Sequence, residues 1–406
     1  MSNTLLTISQ ITNEAMAVLE NALTFTKHVN REYDDSFAKE GAKIGQTVNV
    51  RKPVRYIGRR GATISVEGTQ EDYTPVTLSE QYGCDVSFTT KELTLDIDSF
   101  SDRILKPQIA TVANMIDRDG LLLYKDVYNH VGTPGTTPST RMTYLNAGVK
   151  LDNEAAPLDD LRACVINPIA SATIADTNMT LFNPSKNVSE QYDTGRMGRG
   201  LGFKFDMDQN VVAHTIGTYV ANVAGGAVTA NGNVASGSSV VLAGWTSGDK
   251  LNQGDIVTFD GVYAVNPQNR QSTGQLRQFV VTSSSNTADG GGAMTITVSP
   301  ALVVSGAYQN VSAQITSGAA MKVFGASSIV TPQNMAFHRD AFTFACADLE
   351  LPGGVWMAKR VTSKKLGISM RVVKAYDITN DRAPMRIDVL GGWKTLRAEL
   401  ATRVSG

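Results

Sequence analysis

GDIVTFDGVYAVNPQNRQSTGQLRQFVV, residues 254–281, holds two alternating apolar runs, DIVTFDGVYAV and LRQFVV, in a setting almost without charge. The wider stretch 219–330 has 112 residues and only eight charged side chains: Asp249, Lys250, Asp255, Asp260, Arg270, Arg277, Asp289 and Lys322. The other 294 residues carry 67. Further alternating runs (SVVLAGW, AMTITVS, AQIT) are separated by Gly-rich turns. Side chains that alternate with a period of two belong to strands with one buried face, so the stretch predicts an antiparallel sandwich or barrel. It lies between segments of ordinary globular composition, as an inserted domain does. Its host must tolerate the interruption, with two chain crossings close together at one surface point.

Around it, 406 residues are enough for two or three domains with real cores. An apolar fraction of 42% with 18% charged residues is globular composition. A formal net charge of −1 implies no basic face and speaks against sequence-reading nucleic-acid binding. Cys84, Cys164 and Cys346 are scattered and odd in number, which excludes a disulfide framework or zinc spacing and fits a reducing compartment. MSNTLLTISQ has neither the positive nor the apolar region of a signal peptide. No run approaches the ~20 apolar residues of a membrane helix.

Residues 4–27 place Ile8, Ile11, Ala15, Val18, Leu19 and Leu23 on one helical stripe. That stripe must be buried either on the same chain or on a neighbour. Residues 45–90 read as a ribbon: GQTVNVRKPVRYIG runs up, RRGAT turns, and ISVEGTQEDYTPVTLSEQYGCDVSFTT returns. The first arm carries Arg51, Lys52, Arg55, Arg59 and Arg60, and the return carries Glu67, Glu71, Asp72 and Glu80. A two-stranded ribbon with few bulky apolar residues cannot fold alone. Its opposed charges fit pairing across the ribbon or docking onto a neighbour; the plain alternative is a solvated hairpin. Exposed pairs are worth only ~0–1 kcal/mol each, so repetition over many identical contacts is what would make them count. The candidate inter-subunit contacts are therefore Arg51, Lys52, Arg55, Arg59, Arg60, Glu67, Glu71 and Asp72.

Asp98, Ser99 and Ser101 are helix-start residues, and Pro107 confines the regular start to 103–106 or introduces a kink. Leu105, Ile109, Val112, Ile116, Leu123 and Val127 recur at helical spacing, and Gly132 with Pro134 marks the end. A helix from Ile104 to Val131 would span roughly 40 Å, a length suited to an architectural spine. Residues 133–157 read as a Gly/Pro/Thr loop. APLDDLRACVINPIASATI reads as a helix then a strand, with Leu158 starting the helix, Asp159 and Asp160 in its first turn, and Asn167-Pro168 breaking the pattern. Strands beyond residue 335 return to the sheet begun before the insertion. The class is α+β, discontinuous in sequence.

Little points to chemistry. His28, His130, His214 and His338 lie in four separate segments, outside metal-ligand spacing, and read as satisfied or exposed. No nucleophile elbow, zincin or Walker motif is present. GRMGRGLG (195–202) is either a phosphate cradle or a loop crossing closely packed backbone. Asp377, Asp381 and Asp388 imitate a metal site but read better as a solvated rim. No catalytic, cofactor or metal residue is assigned.

The order of elements resembles the major capsid (coat) proteins of tailed bacteriophages, in the subgroup with an inserted β-domain. FNPSKNVSEQYDTGRMGRGLGFKFDMDQNVVAHTIGT (182–218) is similar to that subgroup's Asn-Pro, Gly-rich Gly-Phe and His-Thr-x-Gly run. GDIVTFDGVYAVNPQNRQSTGQLRQFVV resembles the core of its insertion. MAFHRDAFTFACADLELPGG (335–354) and NDRAPMRIDVLGGWKTLRAELATRV (380–404) resemble its closing strands.

The resemblance implies the tailed-phage capsid (Johnson) fold. It places an N-terminal arm at 1–44, an extended loop at 45–90 and the inserted β-domain at 219–330. The peripheral domain with its spine helix would be 91–139, 331–365 and 386–406, and the axial domain 140–218 and 366–385. It implies an icosahedral shell in the virion, assembled in the bacterial cytoplasm from pentamers and hexamers, with no cofactor and no membrane. Implied partners are many copies of the chain, a separate scaffolding protein, a portal protein, a decoration protein, and enclosed double-stranded DNA held without sequence recognition. Ribbon and arm would both be satisfied by neighbouring subunits. The alternatives are a secreted adhesin or carbohydrate-binding protein, and an enzyme with an accessory β-domain.

Overall fold

The computed structural model describes residues 15–20, 22–31, 47–64, 66, 68–69, 71–89, 104–179, 197–220, 228–284, 286–363 and 366–406. Contacts divide the chain into two compact units. One comprises Met1–Arg51, Tyr73–Gly120 and Phe342–Leu396; the other comprises Lys52–Asp72, Leu121–Ala341 and Arg397–Gly406.

The first unit is organised by one long strand, Arg382–Thr395. Glu80–Thr89 pairs along one edge, while Ser369–Lys374 and then Phe342–Ala347 pair along the other. Met357–Thr362 extends the sheet beyond Ser369–Lys374. Ala383, Met385, Ile387 and Val389 are buried, alternating at first with outward Arg382, Pro384 and Arg386. Gly391 and Gly392 allow a close approach: a Cβ would lie 2.5 Å from the Phe344 ring at the first and 2.0 Å from the Thr77 carbonyl oxygen at the second. Phe25, Phe342, Phe344 and Trp393 form a chain of rings with centroids 4.8–5.7 Å apart.

Residues 15–20 are helical, and Ala15, Leu19 and Leu23 are fully buried within their own chain. Of the two expectations for that stripe, the same chain is the outcome for these three residues; Ile8 and Ile11 lie outside the described residues. Backbone amides of Thr24 and Thr26 donate to buried Asp117 at 2.6 and 3.0 Å, and Asn30 bridges Thr343. The described part of the arm is thus satisfied by its own body, because Phe25 supplies the bulky anchor that the stripe lacked.

Asp98, Ser99 and Ser101 also lie outside the described residues. The α-helix runs Lys106–Leu121, with Pro107 in its first turn and Leu105, Ile109, Val112 and Ile116 buried. Its 16 residues span about 24 Å, less than the expected length. A 3-10 turn follows at Leu122–Asp126, Val127 is extended, and His130–Val131 is a strand. Val127 and Val131 match helical spacing, but both are buried in extended backbone beside the second unit's sheet. Tertiary burial overrides the periodicity there.

The second unit contains a six-stranded mixed sheet. Its order is His130–Val131, Ala401–Val404, Asn334–His338, Arg162–Ile166, Phe203–Met207, Arg199–Gly200. The three central strands are buried at every position. A helix at Arg141–Asn153, inside the segment expected to be loop, buries Tyr144, Ala147 and Leu151; Thr140 caps it by accepting from the Thr143 amide at 3.3 Å. Apolar residues on both of its faces hide the stripe from a periodicity reading. The expected helix-then-strand within 156–174 is reversed: a turn precedes strand Arg162–Ile166, and helix Pro168–Met179 follows. Asn167-Pro168 is a start signal, since Asn167 Oδ1 accepts from the Ala170 amide at 2.9 Å and proline suits the first helical position.

The insertion is a barrel. Its strand order is Met321–Val323, Ile256–Val265, Ser272–Val281, Met294–Val303, Ser236–Ala243, Thr229–Ala230. The ends close on each other: Thr229 bridges Ala320, the Ala230 amide donates to Ala319, and the Met321 amide donates to Val228. Val240, Leu242, Val257, Phe259, Phe279, Val281 and Ile296 fill it with no exposed surface. The two chain crossings pair with each other as strands Ala213–Thr215 and Val330–Pro332.

Candidate assembly surfaces and the barrel neck

The base of the ribbon is a short ladder, Thr47–Arg51 against Tyr73–Thr77, whose Val48 and Val76 pack with Leu78 and Ala345. Beyond it, residues 52–72 form no strand among the described residues, and the bend falls at 61–63. The expected continuous two-stranded ribbon therefore holds only at its base. Pro53, Gly58, Gly61 and Gly68 supply few side chains for a ladder to pack.

The candidate contacts gather on this loop with different fates. Arg51 ends the base strand, exposed. Lys52 donates from its backbone to Asp72 at 2.8 Å and pairs with the Asp72 carboxylate, also at 2.8 Å, across the arms. Arg55 pairs with Glu399 of its own chain at 3.4 Å and lies 6.0 Å from the Tyr308 ring centroid. Arg59 donates to the Gly61 and Thr63 carbonyls at the bend. Arg60 and Glu71 are exposed, and Glu67 lies outside the described residues.

Sequence reasoning passed over the apolar side chains on the same loop. Ile64 is 76% exposed and Val66 89%, with Tyr56 and Ile57 also exposed. The signal was present, in isoleucine and valine within a segment that has no core to receive them.

Where the barrel meets its host, the second unit is polar and buried. Asp255 receives the Gly217 and Asn252 amides at 3.0 and 2.8 Å and pairs with His214 Nε2 at 2.8 Å; His214 Nδ1 faces the Tyr124 hydroxyl at 3.1 Å. Arg403 donates to the Gly254 carbonyl at 2.7 Å and stacks over Tyr124. Burial lowers Arg403 to about 10. His130 and Gln278 exchange two hydrogen bonds of 2.9 and 3.0 Å, and burial lowers the His130 imidazole well below its usual value. Glu154 pairs with buried Arg277, whose guanidinium lies over Tyr128. Burial raises the Glu154 carboxyl, with Arg277 opposing the shift. Among the described residues no cluster suits a metal ion.

Three sequence readings are corrected. Asp159 and Asp160 start no helix: Asp159 meets His338 at 3.1 Å and accepts from the Leu161 amide at 3.0 Å, while Asp160 pairs with Arg199. The described part of 195–202 is a hairpin turn, with Leu201 and Gly202 at φ 52° and 83° between Arg199–Gly200 and Phe203–Met207. Asp388 is no solvated rim: it is fully buried, paired with Arg371 at 2.7 Å and Arg386 at 2.8 Å. Burial would raise its carboxyl, and those hydrogen bonds outweigh it and hold it below the usual range.

Residues 213–404 match the family model described as P22 coat protein, gene protein 5. That stretch takes in the neck residues from His214 onward, the barrel, and the closing strands of both units. Over that stretch the chain is similar to the tailed-phage coat proteins.

Among solved structures, the chain is similar to a protein of Mycobacterium phage Che8, at 12% identity and TM-score 0.47, covering 94% of this chain and 90% of that one. For the capsid of cyanophage P-SCSP1u the values are 9% and 0.47, over 94% and 87%. The CUS-3 coat protein I-domain is 25% identical over 25% of this chain and 96% of that one, at TM-score 0.19. No curated protein sequence matches. The coat-protein match supports a major capsid protein that forms a shell, and nothing in the matches points to an adhesin.

Proposed function

We propose that the coat protein assembles through pentamers and hexamers into an icosahedral shell around packaged double-stranded phage DNA, with loop 52–72 reaching over an adjacent subunit. The observation that carries this reading is the exposure of Ile64 and Val66 on a loop without a core of its own. Apolar side chains held in water are stabilised by any surface that covers them, at roughly 25 cal/mol per Å². In a shell every subunit offers the same loop, so a small gain is repeated at each contact.

The remaining assignments follow from the same reading. Residues 1–44 act as an arm, 91–139 with 331–365 and 386–406 as the peripheral domain, and 140–218 with 366–385 as the axial domain. The barrel faces outward. Assembly takes place in the bacterial cytoplasm with a separate scaffolding protein and a portal protein, and a decoration protein binds the finished shell. A formal net charge of −1 suits a container that encloses DNA without gripping it.

The test is Ile64→Ser with Val66→Ser. The soluble subunit should keep its circular dichroism and melting temperature, while the fraction recovered as shells by sedimentation and electron microscopy falls severalfold. Unchanged shell recovery would remove the loop from assembly.

A further inference from the structure

Arg55 is the loop cation that turns back onto the subunit's own body. Its guanidinium meets Glu399 at 3.4 Å and lies over the Tyr308 ring of the barrel at 6.0 Å. The neighbouring Tyr56 carbonyl accepts from Arg270, another barrel residue, at 3.4 Å. Glu399 is firmly placed. The 3-10 turn Ala398–Leu400 buries Leu400, and the Arg397 amide donates to the Ala341 carbonyl at 3.1 Å. Arg397 also pairs with Glu399, at 3.1 Å.

We infer that Glu399, with Tyr308 and Arg270, is a parking site that holds the root of loop 52–72 on its own subunit until assembly draws it away. The inference rests on the reading of that loop as one that engages a neighbouring copy. Three features suit a releasable latch. Arg55 and Glu399 side chains are 29% and 23% exposed, so water screens the pair and the hold is weak. Glu399 keeps Arg397 when Arg55 leaves, so release strands no bare carboxylate. The contacts fall at residues 55–56, short of Ile64 and Val66, which stay exposed and free to meet a partner while the root is held. A loop held near one orientation is withheld from early, mismatched contacts, and one correct contact suffices to shift so slight a bias.

Trypsin reads the latch directly, because Arg59 and Arg60 lie on the exposed loop. In the soluble subunit, Glu399→Gln should speed cleavage at those two sites severalfold. Arg55→Gln, which leaves the Arg397 pair intact, should do the same. Arg55→Lys, which keeps a cation opposite Glu399 and leaves the Arg397 pair intact, should hold cleavage near the starting rate. Equal melting temperatures check that the fold is intact. Cleavage that stays at the original rate in both glutamine variants would overturn the latch while leaving the loop's role in shells untouched. The opposite pattern, faster cleavage but full shell recovery from Ile64→Ser with Val66→Ser, would sink the assembly reading and keep the latch as a feature of the subunit alone.

Discussion

The barrel and the loop are both β-rich in sequence, yet they meet their hydrogen-bonding and burial requirements in opposite ways. The barrel closes its sheet, pairs both edge strands and fills its interior from its own residues. Loop 52–72 leaves its base ladder at Arg51 and Tyr73, and it exposes isoleucine and valine. A closed sheet has no edge to offer another chain. An open loop offers backbone and apolar surface together. On the proposed reading, the contrast separates two properties of a shell protein, the stability of the subunit and the reach between subunits, and assigns them to different segments.

The strongest way to break this contrast is to attack the barrel interior. Phe259 and Phe279 are fully buried, with ring centroids 5.9 Å apart. Phe279→Ala should destabilise the soluble subunit by about 3–5 kcal/mol through lost burial and an unfilled cavity. Denaturant titration followed by tryptophan fluorescence measures it. A loss under ~1 kcal/mol would show that the barrel holds little of the subunit's stability.

A smaller effect is expected where the barrel meets helix Arg141–Asn153. Glu154 sits just past that helix and pairs with Arg277 of the barrel, both nearly buried. Glu154→Ala leaves a buried guanidinium without its carboxylate and should cost about 3 kcal/mol. Replacing both partners, Glu154→Ala with Arg277→Met, should recover most of that loss, since an apolar pair strands no charge. If the double variant is no better than the single one, the pair's role is packing and not charge compensation.

The same two regions show what could be read from sequence. Barrel strands were legible because a period of two persists in Ser236–Ala243 and Met294–Val303 with almost no charge to confuse it. Closure was not legible, since it depends on Thr229 meeting Ala320, 91 positions away in sequence. On the loop, the charged residues were found and the bend at 61–63 fell where Gly61 allowed it. Their partners were not found, because Glu399 lies 344 positions from Arg55. Ile64 and Val66 were visible as letters, yet their meaning required knowing that they are exposed. Helix Arg141–Asn153 escaped because apolar side chains lie on both its faces, so no stripe stood out.

The smallest effect sharpens the comparison most. Lys52 and Asp72 are 2.8 Å apart, with side chains 40% and 55% exposed. In the soluble subunit Lys52→Ala should change stability by no more than ~0.5 kcal/mol, since water already solvates both charges. In a shell the outcome depends on what surrounds the loop. If a neighbouring subunit covers this part of it, water is displaced, the effective dielectric falls and the pair strengthens. The shell's melting temperature should then drop more than the subunit's, and the difference should persist at high salt, where an exposed pair is screened away. Equal, negligible shifts in both states would mean that the neighbour covers only the apolar tip, leaving the root to its own chain.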